Sequence, residues 1–390
     1  MRIAVARETH PGETRVAATP ETVAGLVRLG HEVAVQPGAG HGALIDDDRY
    51  ADAGALLLEE PFDGAELVLG VQPLDDAGRS RLRPGTATLS FLPATLMLAD
   101  LVARRDAGLT SFAMDYVPRI SRAQPMDALS SQSLVAGYRA AVVAAGRLRE
   151  FFGLSMTAAG TIKPAQVLVL GAGVAGLQAI ATVKRLGAVV RGYDVRAAAA
   201  EEIASMGAVP VDLGLDTLEG AGGYAREMTA ERAALQRERL APYVAAADAL
   251  ITTAAVPGRR APVLVHRAMV EAMRPGSVVV DLAADSGGNV EGVEPGRVVM
   301  IGGAAVWGGS NVPAQMPAPA SRLYAANVLA VVTLLTREGD FAPDFDDEIV
   351  AGMCLTHQGR VRNAMLAELL GSEPAEPGPD PDGTPEEEPR

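Results

Sequence analysis

Three glycines, Gly171, Gly173 and Gly176, follow the aliphatic run 167–170 with the spacing G-x-G-x-x-G, and enclose Val174 and Ala175. The spacing suits a turn that cradles a phosphate. The first glycine permits a tight turn, the second lets backbone approach a pyrophosphate, and the third lets a helix pack closely on the strand. A helix over 177–186 then points free N–H groups and a positive dipole end at the phosphates. With 42 glycines in the chain the spacing alone means little, so the surrounding βαβ pattern has to carry the reading. A second strand, 188–193, supplies that pattern, and Asp194 closes it about 20 residues past the glycines, where a carboxylate accepts hydrogen bonds from ribose hydroxyls. A carboxylate there repels a 2′-phosphate and so selects NAD(H) over NADP(H). Arg196, two residues on, is the one feature that argues the other way.

Downstream, 249–253 and 277–282 read as later strands of the same sheet, ending in TTAAVPG and DLAADSGGN; loops at such carboxyl ends line a cofactor crevice. Asp281 and Asp285 in the second loop are either structural caps or cofactor-side polar groups. The segment 118–139, PRISRAQPMDALSSQSLVAGYRA, gathers Arg119, Arg122, Gln124, Asp127 and Ser130 just ahead of a long helix. Its ordinary reading is a loop in which Asp127 or Ser130 caps that helix. GAGGYAREM, 220–228, is either a flexible lid or a long loop.

Short aliphatic runs alternate with helix-length amphipathic stretches from the start: 2–6, 20–29, 32–36, 65–71, 86–90, 96–105 and 110–113. The Ala-rich, proline-free segment 131–152 predicts a helix crossing between domains, and 323–337 another able to cross back. The expected fold is α/β, with two Rossmann-like domains of parallel sheet joined by long crossing helices. Residues 1–130, completed by 325–370, form the N-terminal domain; 131–324 form the nucleotide domain. The tail 371–390, with six prolines and seven acidic residues, is expected to be disordered.

Composition excludes several functions. The net charge of −14 repels nucleic acid and anionic membranes. The longest apolar runs, such as 328–335, fall far short of the roughly 20 residues that span a bilayer. A lone Cys354 and the scattered histidines 10, 31, 41, 266 and 357 predict no metal site and fit a reducing cytoplasm. Residues 1–5 run directly into a strand, so the mature chain is expected to begin at Met1.

In this order, RETHPGETRVAATP, RISRAQPMDALSSQ, GAGVAG, GGYAREM, TTAAVPG, DLAADSGGN and DFDDEIVAGM closely resemble segments of the NAD(H)-binding alpha subunit of proton-translocating NAD(P) transhydrogenase, a family related to alanine dehydrogenase. The resemblance implies that Arg119, Gln124, Asp127 and Ser130 contact the nicotinamide and its ribose, with Gln124 positioning the ring. It implies that Val174, Asp194, Val195 and Arg196 hold the adenosine and pyrophosphate half. Gly223 and Tyr224 would belong to a loop closing on nucleotide, and Ala254 and Ala255 would line the crevice. It further implies a homodimer, a cytoplasmic site held peripherally at the inner membrane by membrane subunits, and NADP(H) bound by a partner subunit.

Alanine dehydrogenase is the rival reading, and a non-catalytic NAD(H)-binding protein the second. The dehydrogenase family carries a lysine and a histidine where this chain has Gln72 and Pro93, while Arg15 is retained. Neither replacement can move a proton. Transfer between two nicotinamides needs only aligned rings and excluded water, so their loss is compatible with transhydrogenation. Trp307 has no evident role in the sequence, and Pro125 constrains the backbone of Gln124.

Overall fold

A computed structural model describes residues 1–216, 229–255 and 260–371. The first sheet contains β1 (Arg2–Val5), β2 (Glu32–Val35), β3 (Leu56–Leu57), β4 (Leu67–Leu69), β5 (Ala87–Ser90) and β6 (Thr110–Ala113). Between these strands lie α1 (Pro20–Arg28), α2 (Asp47–Asp52), α3 (Asp76–Arg79) and α4 (Leu98–Asp106). The 20-residue α5 (Ala128–Arg147) and an exposed hairpin, β7 (Ser155–Thr157) with β8 (Gly160–Ile162), lead to the second sheet.

That sheet holds β9 (Gln166–Leu170), β10 (Val189–Tyr193), β11 (Val209–Pro210), β12 (Ala249–Thr252), β13 (Val278–Asp281), β14 (Val298–Ile301) and β15 (Ala304–Gly308). Its helices are α6 (Val174–Arg185), α7 (Ala199–Ser205), α8 (Ala230–Ala245) and α9 (Arg267–Glu271). The return helix α10 (Pro317–Leu334) precedes a small hairpin, β16 (Thr336–Arg337) with β17 (Asp340–Phe341). Then come α11 (Glu348–Met353), β18 (Cys354–His357), β19 (Arg360–Val361) and α12 (Ala364–Leu369).

The strand order of the first sheet is β19-β18-β6-β5-β4-β1-β2-β3, and of the second β11-β10-β9-β12-β13-β15-β14. Each therefore contains a doubly wound parallel array whose order reverses beside its first strand, between β1 and β4 in one and β9 and β12 in the other. Helices cover both faces, so β4, β5, β12 and β13 bury every residue; this is why they read as unbroken aliphatic runs. The sheets are not wholly parallel as expected: β18, β19 and β14 join antiparallel at the edges. Helix α5 also ends at Arg147, five residues short of expectation, because Leu148 turns extended toward the β7–β8 hairpin. Helix α10 starts six residues early, since Pro317 and Pro319 fall in the first turn, where the missing N–H costs nothing. Trp307 is explained by packing: on β15 it is buried in the core beneath α5 and α6. Among the described residues no helix is long and apolar enough to cross a membrane.

Candidate functional site

Ligands of doubly wound sheets bind beyond the carboxyl ends of the strands flanking the order reversal. In the second sheet those ends are the Gly171–Gly176 turn after β9 and residues 253–255 after β12. Gly171 has a φ of +99°, and a Cβ there would stand 2.5 Å from the Thr253 hydroxyl. A Cβ on the buried Gly176 would collide with the Gly171 carbonyl. Gly173 differs: it is exposed and a Cβ would meet nothing within 4 Å. The backbone space before α6 is thus open, and the helix begins at Val174, three residues earlier than the sequence pattern suggested, so its first N–H groups lie at the turn. Val174, an apolar side chain, is 40% exposed over the same opening.

Asp194 ends β10 and draws the turn together. Its carboxylate accepts from the Ala172 N–H at 2.7 Å and from the Arg196 N–H at 3.0 Å. The Arg196 guanidinium pairs with both oxygens, at 3.0 and 3.2 Å. A cleft of about 250 Å³ opens beside this pair, with Val195, Val211, Leu213 and Leu215 among its walls. A second cavity, at Gln166, Arg191 and Tyr243, lies at the amino ends of the strands and away from the glycine turn.

Ala254 is held by a residue given no role in the sequence reading. Asn289 accepts from the Ala254 N–H at 2.9 Å and donates to its carbonyl at 2.8 Å. Asn289 is itself fixed by Asp281, which is fully buried and accepts from the N–H groups of Ala283, Asn289 and Val290. Asp281 is therefore structural, an organiser of its loop. Asp285 accepts from the Asn311 N–H. Ala255 is exposed beyond β12. Gly223 and Tyr224, with the rest of the 220–228 segment and the tail beyond Gly371, lie outside the described residues.

The order reversal of the first sheet faces the same space. After β1, Glu13 and Arg15 form an ion pair at 2.6 Å whose side chains are 0% and 3% exposed. Arg15 also donates to Gln132 on α5 at 2.9 Å and to Asn311 beyond β15 at 3.1 Å. Glu13 accepts from the side chains of Gln72 and Asn311 at 2.9 and 3.1 Å. This buried cluster links the carboxyl ends of both sheets. Burial opposes ionisation of Glu13, but the hydrogen bonds and charge of Arg15 outweigh it and hold the pKa at about 2. Neighbouring Glu8 has no such cation within bonding distance among the described residues; burial pushes it up to about 7 despite N–H donors from Val71 and Gln72.

The 119–130 segment forms a 3-10 turn, Ser121–Met126, followed by α5. Arg119 and Gln124 are exposed. Asp127 does cap α5, accepting from the Ser130 N–H at 2.8 Å and the Ser130 hydroxyl at 2.5 Å. Further along α5, a Cβ on Gly137 would collide with the Ala175 carbonyl, so α5 lies in direct contact with the start of α6. Ser130 is seven residues from Gly137, about 10 Å along the helix. The turn carrying Gln124 thus stands within a dinucleotide's reach of the glycine turn. Glu8, Glu13, Gln132, Asn289 and Asn311 were missed as a group, since only the tertiary fold assembles them.

Models of the alanine dehydrogenase/PNT N-terminal and C-terminal domains match residues 4–136 and 140–364. The chain is 44% identical over 379 residues to an NAD(P) transhydrogenase alpha subunit of Rhodospirillum rubrum, a match spanning 94% of this chain and 99% of that one. It is 32% identical over 393 residues to alanine dehydrogenase of Mycobacterium tuberculosis, across 97% of this chain and 99% of that one. The crystal structure of transhydrogenase from Sinorhizobium meliloti aligns with a TM-score of 0.81 at 41% identity, covering 93% of this chain and 98% of that one.

Proposed function

The chain belongs to the alanine dehydrogenase/PNT family, and on that premise we propose that it is the NAD(H)-binding subunit of a proton-translocating transhydrogenase, holding NADH for direct hydride transfer to NADP+ on a partner subunit. Gln72 carries the choice between the family's two chemistries. Amino-acid oxidation needs a proton-transfer group; here an amide occupies that place and donates to Glu13. Pro93 is equally unable to titrate. Bound NADH supplies the hydride itself, and the chain's own residues have only to bind, orient and exclude water.

In this reading the glycine turn and the α6 N-terminus take the pyrophosphate, Asp194 the adenosine ribose, and the cleft beside Val195 and Val211 the adenine. Arg196, neutralised by Asp194, offers no free cation to a 2′-phosphate. Arg119, Gln124, Asp127 and Ser130 serve the nicotinamide end, Gly223 and Tyr224 close over it, and Ala254 and Ala255 line the crevice. The subunit is a homodimer attached to the inner membrane through partner subunits that bind NADP(H) and move protons.

The decisive assay mixes the purified chain with a transhydrogenase NADP(H)-binding component and an NAD analogue. Hydride exchange is expected, with no NAD+ reduction by L-alanine alone; the opposite pattern would restore the dehydrogenase reading. Gln124→Asn should slow exchange by about tenfold or more while changing NADH affinity less than about threefold. Equal losses would reduce Gln124 to a binding contact.

Asp194→Ala should weaken NADH binding by more than about tenfold, because a charged acceptor is lost. It also frees Arg196, so the preference for NADH over NADPH should narrow. Unchanged titrations of both nucleotides would remove Asp194 from the ribose site.

A further inference from the structure

Gln124 precedes a proline, which disfavours helical backbone at the residue before it, yet Gln124 sits inside the 3-10 turn Ser121–Met126. Its side chain is exposed and bonds to no other described residue, so nothing on the side chain itself sets its direction. The turn must be held from the backbone.

Two anchors do this. At the outer edge, Arg122 makes a two-pronged pair with Asp347, at 2.6 and 3.1 Å, before α11. On the inner side, Asn327 of α10, 8% exposed, donates from Nδ2 to the Pro125 carbonyl at 2.7 Å. That carbonyl belongs to the residue directly after Gln124. The Asn327 amide is oriented in turn, since its Oδ1 accepts from the Ser131 hydroxyl at 2.7 Å. Ser131 accepts from Gln132 Nε2 at 3.3 Å, and Gln132 accepts from Arg15 at 2.9 Å. A single line of hydrogen bonds therefore runs from the buried Glu13–Arg15 pair to the peptide beside Gln124.

We propose that Asn327 is a positioning residue for hydride transfer: by holding the Pro125 carbonyl it sets the backbone of Gln124 and so the angle at which that side chain meets the nicotinamide. The inference rests on the reading of Gln124 given above. Aspartate at position 327 keeps the shape and the acceptor for Ser131 but sets an oxygen against the Pro125 carbonyl in place of a donor. Alanine removes both contacts. A displacement of the turn by about 1 Å is enough for a large rate effect without loss of binding.

The test is a double-mutant cycle on single-turnover hydride transfer, with NADH on this chain and a transhydrogenase NADP(H)-binding component loaded with NADP+. Asn327→Ala and Asn327→Asp should each slow transfer by about tenfold, while NADH affinity from a binding titration changes less than about threefold. In a Gln124→Asn background the same substitutions should add less than about twofold, because Asn327 acts through Gln124. Equal slowing in both backgrounds, or affinity falling in step with rate, overturns the inference. If one variant fails to fold, the other carries the test. A slow Gln124→Asn with an unimpaired Asn327→Asp rejects the positioning role alone; an unimpaired Gln124→Asn rejects the reading of Gln124 as well.

Discussion

Gly173→Ala is expected to lower NADH affinity by about a hundredfold or more with no change in thermal stability, whereas Gly176→Ala should lower both. The two positions lie three residues apart in one turn but fill opposite roles. A methyl group on Gly173 meets no protein atom within 4 Å, so the folded chain accommodates it. It would occupy the space that lets a pyrophosphate reach the backbone N–H groups of α6. Losing two charge-assisted hydrogen bonds at about 1.5 kcal/mol each amounts to ~3 kcal/mol, or about a hundredfold in affinity. On Gly176 the methyl group collides with the Gly171 carbonyl and stands 3.1 Å from the Thr253 hydroxyl. The start of α6 must move away from β9, an overpacking cost of about 1–3 kcal/mol. Calorimetric titration and thermal melts on both variants separate the effects. Gly173→Ala with native affinity would show that the open space is not where phosphate sits.

The contrast also marks what is legible in a sequence. Gly171, Gly173, Gly176 and Asp194 are local: a strand, a turn and a helix follow from aliphatic run and glycine spacing, and β9, α6 and β10 form where that pattern puts them. Asp127 was readable as a cap for the same reason, its carboxylate bonding to an N–H only three residues on. Asn289 and Ala254 are 35 residues apart, and Arg15 and Asn311 are 296 apart. No periodicity announces such partners, because each depends on how two sheets face one another. The edge strands were equally hidden. Strand β18 carries Cys354, Leu355 and Thr356 immediately after the short helix α11, without the alternation or turn signals that mark a strand. Glu13 lay in plain view beside Arg15, yet only its complete burial shows that the pair is internal to the fold and that Arg15 is already occupied.

That occupancy leads to the largest expected loss of stability. Arg15→Ala strands the buried Glu13 carboxylate with amide donors alone, and breaking one side of a buried pair costs about 3–5 kcal/mol. At about 2 °C per kcal/mol the melting temperature should fall by roughly 6 °C or more. The pH dependence identifies the cause. In the native chain Glu13 titrates at about 2, below its ordinary 4.5, so its contribution is present above pH 4.5 and lost as pH falls toward 2. Glu8, raised to about 7, behaves oppositely: its contribution is full below pH 4.5 and lost as pH rises through 7. Without Arg15, burial is the dominant influence on Glu13, its pKa rises above 4.5, and it joins Glu8 in the second pattern. The Arg15→Ala deficit should therefore be smaller at pH 5, where Glu13 can take up a proton, than at pH 8, where it must stay charged in the core. Arg15→Lys, which restores the charge without the fork that also reaches Gln132 and Asn311, should recover only a fraction of the loss. A deficit equal at both pH values would mean that Arg15 acts by filling space, and that its charge is free for a ligand after all.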